Sequence, residues 1–275
     1  MCHLCDESGA INKIRKHFGD PVLKEDQEIE VSYRKTQIYE FATNHYHELL
    51  TENEDAFNYW YDQCGFDVET ITSHKLGWSD GKTLIPALFN KGFSKEEIID
   101  SGLMNRYGNE ELAGMLTIPY LHFGSALSVR GRSLTDSGPK YKSLPRTKSR
   151  LFNADLASHA AQVIITEGEK DAMTLERLGF TAVGIPGAVG WQDHWNDYLA
   201  DASQIFICLD NDSAGKTGAE KIALALGSKA RIVNMPEARE GENKNDPTEW
   251  IVHKGNTVDD FKMLLIRARG GHLLT

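Results

Sequence analysis

Acidic side chains follow three predicted strands of this chain, and their positions point to chemistry at the edge of a sheet. The apolar runs in QVIITEG (162–168), QIFICLD (204–210) and KARIVNMP (229–236) are typical of buried strands. Because the carboxyl ends of parallel strands meet at one edge, where ligands collect, we expect the acids after these strands to lie close together. They are Glu167, Asp171, Asp210, Asp212 and Asp246.

Gathering five carboxylates is unfavourable unless a cation lies among them. Two unit charges about 4 Å apart repel by roughly 4 kcal/mol at an effective dielectric constant of about 20. A divalent ion removes that cost, and Mg²⁺ prefers carboxylate oxygens. Such ions hold phosphates and stabilise in-line phosphoryl transfer. Each acid alone is more simply a surface carboxylate or a helix cap, but the joint pattern favours a metal site.

The stretch LDNDSAGKTG (209–218) also allows another interpretation, a phosphate-binding P-loop. Gly215-Lys216-Thr217 matches the end of that motif, in which a glycine five residues earlier lets bare backbone wrap the phosphates. Here that position is Asp210, whose carboxylate would repel phosphate. The sequence therefore favours the metal interpretation.

Basic residues concentrate in one window of an otherwise acidic chain. The net charge of -10 argues against a general nucleic-acid coat. Residues 127–150, LSVRGRSLTDSGPKYKSLPRTKSR, nevertheless hold seven Lys and Arg residues against one acid. Such a run is usually a solvated face, yet phosphates bind such clusters, and an aromatic among them can stack on a base. The candidate nucleic-acid-binding residues are Arg130, Arg132, Lys140, Tyr141, Lys142, Arg146 and Lys148.

Length and composition bound the class of protein. A chain of 275 residues, 40% of them hydrophobic, allows one or two folded domains. It contains no run of about 20 apolar residues, so we expect no membrane span. The N-terminal stretch MCHLCDESGA lacks the apolar core of a signal peptide, so we expect a cytoplasmic protein. Four cysteines in a chain of this length do not indicate a disulfide framework.

Two halves with different patterns follow a charged N-terminal region. From residue 162 onward strands alternate with helices, which predicts an α/β fold with a parallel sheet. Upstream, residues 115–121 and 125–131 predict a hairpin, and Ser94 with Glu97 predicts a capping box. One upstream helix is expected to bury a single apolar stripe formed by Phe57, Trp60, Tyr61 and Cys64.

The acidic motifs resemble those of the TOPRIM domain, which is shared by DnaG-type primases, type IA and II topoisomerases, RecR-type repair proteins and some nucleases. EGEKD (167–171) is similar to the glutamate motif of that domain, and DND (210–212) is similar to its D-x-D motif. The resemblance implies that Glu167, Asp210 and Asp212 are catalytic and hold Mg²⁺ or Mn²⁺. It also implies that Asp171 and Asp246, the latter in a K-D-P-like stretch, tune the site or share a second ion.

The upstream half resembles the N-terminal subdomain of the DnaG-type primase RNA polymerase core. The similar stretches are YHELL, YWYDQCGFDVETITSHKLGW, IPYLHFGSALSVRGRSL and PKYKSLPRTKSRLFN. In this resemblance Arg132, Lys140 and Tyr141 align with the family's basic groove. The implied fold class is α/β, a TOPRIM parallel-sheet domain preceded by a mixed α+β primase N-terminal subdomain. The predicted segments are a zinc-ribbon remnant (1–19), a linker (20–36), the N-terminal subdomain (37–155) and the TOPRIM domain with C-terminal helices (156–275).

Three departures from the primase pattern limit what is carried over. Met115 stands where the family has an arginine before its F-P-I strand, so one nucleic-acid contact is expected to be missing. Cys2 and Cys5 resemble half of the primase zinc ribbon, but two cysteines cannot complete a tetrahedral site. We therefore expect Zn²⁺ only if the missing C-x-x-H half-site exists. No helicase domain or helicase-binding tail is recognised after the TOPRIM part.

The favoured hypothesis is a phage or mobile-element DNA primase core that joins ribonucleotides on a single-stranded DNA template. Its partners would be that template, ribonucleoside triphosphates and a replicative helicase, with no membrane partner. Two alternatives stay open at this point. One is a TOPRIM metal-dependent nuclease, and the other is a non-catalytic nucleic-acid-binding replication module.

Overall fold

The computed structural model describes residues 33–135, 138–238 and 245–270. The predicted zinc-ribbon remnant, with Cys2 and Cys5, lies outside these ranges, as does most of the predicted linker. Within the ranges that are described, no helix is both long enough and apolar enough to cross a bilayer.

The described residues fold into two compact units. The first unit contains the chain up to Ala56 together with Lys75–Thr147. The second contains Phe57–His74 together with the chain from Lys148 onward. The predicted division of the chain near residue 155 stays a prediction.

The described chain contains both helices and strands, which alternate regularly in its second half. The helices are α1 (Tyr33–Leu50), α2 (Glu54–Asn58), α3 (Val68–Ser73), α4 (Leu84–Asn90), α5 (Lys95–Ser101), α6 (Ala154–Ala157), α7 (Glu169–Arg177), α8 (Ser213–Leu226) and α9 (Val258–Gly270). The strands are β1 (Gly77–Trp78), β2 (Met115–His122), β3 (Ser125–Ser133), β4 (Tyr141–Ser143), β5 (Gln162–Thr166), β6 (Ala182–Gly184), β7 (Gln204–Cys208) and β8 (Ala230–Ile232). Turns of π-helix occur at Tyr59–Gln63 and Glu249–His253, and turns of 3₁₀-helix at Asp193–Leu199 and Gly227–Lys229.

The first unit is built on an antiparallel sheet in the order β1-β2-β3-β4. The predicted hairpin is confirmed, because β2 pairs with β3 across a tight turn at Phe123 and Gly124. Both turn residues have a positive φ, 47° and 82°, which matches the twist of the flanking strands. Helix α1 packs on this sheet, and buried residues such as Ile38, Tyr46 and Val129 form the core.

Helix α5 begins at the predicted capping box. The Ser94 hydroxyl oxygen accepts the N–H of Glu97 at 3.2 Å, and the Glu97 carboxylate accepts the N–H of Ser94 at 2.8 Å. The helix ends at Gly102, whose φ of 81° lies in the left-handed region that favours glycine. This position is also crowded, because a Cβ here would overlap the carbonyl oxygen of Pro145.

The second unit is built on a parallel sheet in the order β6-β5-β7-β8, which confirms the predicted α/β alternation. Its central strands β5 and β7 are largely buried, as expected for a parallel sheet, with Ile164 and Phe206 at its centre. Helix α7 packs against β5 and β6, and α8 packs against β7 and β8. Between β6 and β7 the chain forms the 3₁₀ turn Asp193–Leu199.

The predicted apolar stripe at 57–64 is wrong for one residue, Tyr61. Helix α2 is followed by the π-helical turn Tyr59–Gln63, in which the N–H of Cys64 bonds to the carbonyl five residues back. The wider turn changes which side chains share a face. Tyr61 is 47% exposed, whereas Trp60 and Cys64 are buried.

The crowding at Gly102 gives a test of packing in the first unit. We expect Gly102→Ala to lower the free energy of unfolding by about 1–2 kcal/mol, because alanine disfavours the left-handed backbone conformation. Steric overlap should lower it by a further ~1–3 kcal/mol. Gly108→Ala is the matched control, because Gly108 has a φ of 88° but open space around it. Chemical denaturation measures both losses, and equal losses would show that the Pro145 contact is unimportant.

Candidate active site

Glu167 and Asp210 leave the parallel sheet beside each other at its carboxyl edge. The register of β5 and β7 pairs Thr166 with Cys208, the last residue of each strand. Glu167 follows immediately, and its Oε2 accepts a hydrogen bond from the backbone N–H of Asp210, with 3.3 Å between the two atoms. The sheet therefore brings together two acids that are 43 residues apart in sequence.

Burial and the charges of neighbouring acids raise the pKa of both acids. The pKa of Glu167 is raised mainly by burial and also by the charges of Asp212 and Asp171, although the backbone N–H groups of Asp210 and Ala188 oppose the rise. The pKa of Asp210 is raised to about 7, first by burial and then by the charge of Glu167. A cation nearby would stabilise the charged form of each carboxylate.

Asp212 caps helix α8 while remaining close to the other two acids. Its Oδ1 accepts the N–H of Gly215 at 2.8 Å, as an N-cap aspartate does. Its charge nevertheless contributes to the raised pKa of Glu167 and of Asp210. Gly215 is required at this point because a Cβ would overlap the carbonyl oxygen of Asp210. The glycine that suggested a P-loop thus allows α8 to approach the Asp210 backbone.

Lys170 neutralises the other two predicted acids. Its Nζ lies 2.9 Å from Oδ2 of Asp246 and 3.5 Å from Oδ1 of Asp171. Burial would lower the pKa of Lys170, but the two carboxylates outweigh burial and raise it. Burial would likewise raise the pKa of Asp246, but the charge of Lys170 and the N–H of Glu249 hold it below its usual value. The five acids therefore form two sets with different charge compensation.

Thr248 holds the buried carboxylate of Asp171 in place. Burial raises the pKa of Asp171, against the opposing charge of Lys170. Oδ1 of Asp171 accepts two hydrogen bonds from Thr248, one from its N–H at 3.1 Å and one from its hydroxyl at 2.7 Å. The Thr248 hydroxyl also lies 2.8 Å from that of Thr174 on α7. These bonds join α7 to the segment that carries Asp246.

The donors at the sheet edge suit Mg²⁺. This ion is usually held by one or two carboxylates together with water and substrate phosphates, rather than by a complete protein shell. Glu167 and Asp210 supply two such carboxylates, whose pKa values are raised by burial and then by neighbouring acid charges, and an ion would favour the charged form of each. Among residues 33–135, 138–238 and 245–270, no group of three or more His, Cys, Asp or Glu side chains is arranged to hold an ion. The metal-binding role of the five predicted acids stays a prediction.

Three of the predicted nucleic-acid-binding residues contact one another in the first unit. The guanidinium carbons of Arg130 and Arg132 lie 4.6 and 5.0 Å from the centre of the Tyr141 ring. Arg132 also donates a hydrogen bond to the Tyr141 hydroxyl at 2.7 Å. The Tyr141 ring is therefore already in contact with two cations, and its expected stacking on a base stays a prediction.

The remaining basic residues divide into paired and exposed side chains. Nζ of Lys142 lies 2.7 Å from the Glu111 carboxylate, and Arg146 donates to the carbonyl of Ile99 at 2.8 Å. Lys140 and Lys148 are exposed, and Lys148 belongs to the second unit. Their roles in binding nucleic acid stay predictions.

Sequence reasoning missed three residues that shape this site. Lys170 lies inside the EGEKD motif, and a basic residue within an acidic motif is the signal that could have revealed it. Thr248 follows the D-P pair by one residue and carried no recognisable signal. Gly215 was noticed only as part of a possible P-loop, whereas its role here is close backbone packing.

Sequence comparisons relate this chain to phage and bacterial proteins. A Toprim-like family model matches residues 164–251, which include the sheet edge. The chain is 38% identical over 138 residues to the Gene 57 protein of Mycobacterium phage D29, covering 48% of this chain and 88% of that protein. It is 25% identical over 261 residues to the DNA primase of Helicobacter pylori, covering 89% of this chain and 46% of that primase. The chain thus spans less than half the length of this bacterial primase.

The fold is similar to solved structures of primase RNA polymerase domains. The zinc-binding and RNA polymerase domains of the Aquifex aeolicus primase superpose with a TM-score of 0.73 at 18% identity, covering 94% of this chain and 66% of that one. The RNA polymerase domain of Mycobacterium tuberculosis DnaG gives a TM-score of 0.71 at 23% identity, covering 85% and 80%. The fold and the acidic sheet edge define a Toprim-containing protein. More specifically, the chain belongs to the DnaG-type primase family.

The hydrogen bond from the Thr248 hydroxyl to Asp171 predicts that removing this hydroxyl destabilises the folded protein. We expect Thr248→Val to lower the free energy of unfolding by about 1–3 kcal/mol, because a buried carboxylate oxygen loses a donor. Thr217→Val, on the exposed face of α8, should change it by less than about 0.5 kcal/mol. Equal values in urea denaturation would mean that the Thr248 hydroxyl does not stabilise the unit.

The raised pKa of Asp210 predicts a pH dependence in metal-free buffer. Between an unfolded-state pKa of about 4 and the folded-state pKa of about 7, the folded protein binds a proton that the unfolded chain does not. The free energy of unfolding should therefore fall as pH rises through this window. Asp210→Asn removes this titration, so denaturation in a chelator should show a shallower fall than for wild type. An unchanged slope would argue against the raised pKa.

Proposed function

We propose that this chain is a DNA primase core that synthesises short RNA primers on single-stranded DNA by metal-dependent nucleotidyl transfer. The observation that carries this proposal is the pairing of Glu167 with Asp210 at the carboxyl edge of a Toprim-like sheet. Family membership supports it, and solved relatives include a DnaG primase catalytic domain bound to single-stranded DNA. The whole reaction is proposed here for a chain that covers part of those longer primases.

The acids of the sheet edge would hold the metal. Glu167 and Asp210, with Asp212 beside them, would hold Mg²⁺ or Mn²⁺. When bound, such an ion would hold the triphosphate and lower the pKa of the attacking 3′-hydroxyl. The protein would contribute the fixed position of its carboxylates, because Glu167 accepts the Asp210 N–H and Asp212 is held by the start of α8.

The basic window would hold the nucleic acid through phosphates. Arg130 and Arg132 are positioned by Tyr141, which reduces the entropy lost when guanidinium groups bind an anion. Lys140 is exposed on the same unit and would add a charge. Contacts with phosphates do not distinguish one base from another, so we expect the protein to have a weak preference for DNA sequence.

The substrates and partners follow from this reaction. Ribonucleoside triphosphates would be joined, and single-stranded DNA would be the template. A replicative helicase would supply that template, so we expect the protein to act in the cytoplasm. Cys2 and Cys5 would bind Zn²⁺ only with ligands from elsewhere.

A primer-extension assay tests the proposal directly. We expect wild type to extend an RNA primer on single-stranded DNA with Mg²⁺ or Mn²⁺. Glu167→Gln should reduce the rate by at least about 100-fold, because a charged group at the reaction centre is lost. Glu220→Gln is the matched control, since Glu220 is exposed on α8, and it should extend as wild type does.

Three results would overturn the proposal. Full extension by Glu167→Gln would show that the reaction does not need the Glu167 carboxylate. Metal-dependent cleavage of labelled single strands without nucleotides, and without extension, would identify a nuclease instead. Binding of DNA with neither extension nor cleavage would identify a non-catalytic module.

A further inference from the structure

Lys170 lies where a cation is needed, at the start of α7 beside two acids from different parts of the chain. Its ammonium group is 2.9 Å from Asp246, which lies 76 residues away, and 3.5 Å from Asp171. The three side chains are largely enclosed, with exposed fractions of 18% for Lys170, 7% for Asp171 and 24% for Asp246. This arrangement is a buried ion triad rather than a surface ion pair.

Three of the four oxygens of the two acids are already engaged by the protein. Oδ1 of Asp171 accepts the N–H and the hydroxyl of Thr248. Oδ1 of Asp246 accepts the N–H of Glu249 at 2.6 Å, and its Oδ2 accepts Lys170. An ion bound by these oxygens would have to displace hydrogen bonds that hold α7 to the Thr248 segment.

A divalent ion at this pair would also meet the charge of Lys170. The ammonium group sits within contact distance of both carboxylates, so an ion sharing them would lie a few ångströms from it. Repulsion between a divalent and a monovalent cation at that distance is strong in a partly buried site. Glu167 and Asp210 differ in this respect, because after burial the charges that raise their pKa values are those of neighbouring acids.

We propose that Lys170 is a built-in cation that neutralises Asp171 and Asp246 and keeps a divalent ion away from them. The chain then binds one divalent ion, at Glu167 and Asp210, instead of two. The binding of an ion at Glu167 rests on the proposed function, whereas the exclusion of an ion from Asp171 and Asp246 does not. Lys170 is thus a positioning residue that sets the metal stoichiometry of the site.

Equilibrium dialysis with Mn²⁺ on the full chain tests this inference. Wild type should bind one ion per chain. Lys170→Met should bind one ion more, because two uncompensated carboxylates remain. Lys221→Met removes the same charge from an exposed position of α8 and should bind as wild type does. The decisive quantity is the difference in stoichiometry between Lys170→Met and wild type.

Thermal unfolding gives a second readout that does not depend on activity. In chelator, Lys170→Met should unfold at a lower temperature than Lys221→Met, and Mn²⁺ should recover most of that loss by binding the folded state. If Lys170→Met does not fold even with Mn²⁺, the double variant Lys170→Met/Asp246→Asn replaces it. That variant removes one charge of each sign and should fold with the wild-type ion count.

The outcomes separate this inference from the proposed function. Two ions in wild type, no additional ion in Lys170→Met, or an additional ion in the double variant would each overturn it. Glu167→Gln should remove one ion from wild type and from Lys170→Met alike. If Glu167→Gln removes none, the proposed metal at the sheet edge fails, while the difference between Lys170→Met and wild type still decides the role of Lys170.

Discussion

Repulsion between buried carboxylates is the constraint that governs the second unit. The parallel register of β5 and β7 brings acids to one edge of the sheet, where burial makes their charges more costly. The protein compensates one pair internally, since Lys170 lies between Asp171 and Asp246. At the other pair, Glu167 and Asp210, burial and then the charges of neighbouring acids raise the pKa values. Under the proposed function, this difference would make the Glu167 and Asp210 pair the place for one external cation.

Close backbone packing keeps that edge compact. A Cβ at Gly184, the last residue of β6, would lie 2.8 Å from the carbonyl oxygen of Gly168, which follows Glu167. Gly215 allows the same closeness between α8 and Asp210. Small residues therefore set the distance between the loops that carry the acids. We infer that the acids are held in position by the backbone before any ligand binds, which limits the ordering cost of binding.

Local patterns predicted the elements of the fold, because they depend on neighbouring residues. Apolar runs followed by acids predicted the strands of the parallel sheet and their order along the chain, and the patterns at 115–121 and 125–131 predicted the hairpin. The position of Lys170 was not predictable in this way, because its partner Asp246 lies 76 residues away and side-chain reach decides the contact. Tyr61 was misplaced because helical spacing assumes a regular α-helix, and a π-helical turn changes that spacing.

The central claim is that one external cation binds at the sheet edge while Lys170 neutralises Asp171 and Asp246. Anomalous scattering from crystals soaked in Mn²⁺ tests it most directly. The account predicts one anomalous peak beside the Glu167 and Asp210 carboxylates, with the Lys170 ammonium group between Asp171 and Asp246. A peak shared by Asp171 and Asp246, or none beside Glu167, would contradict it.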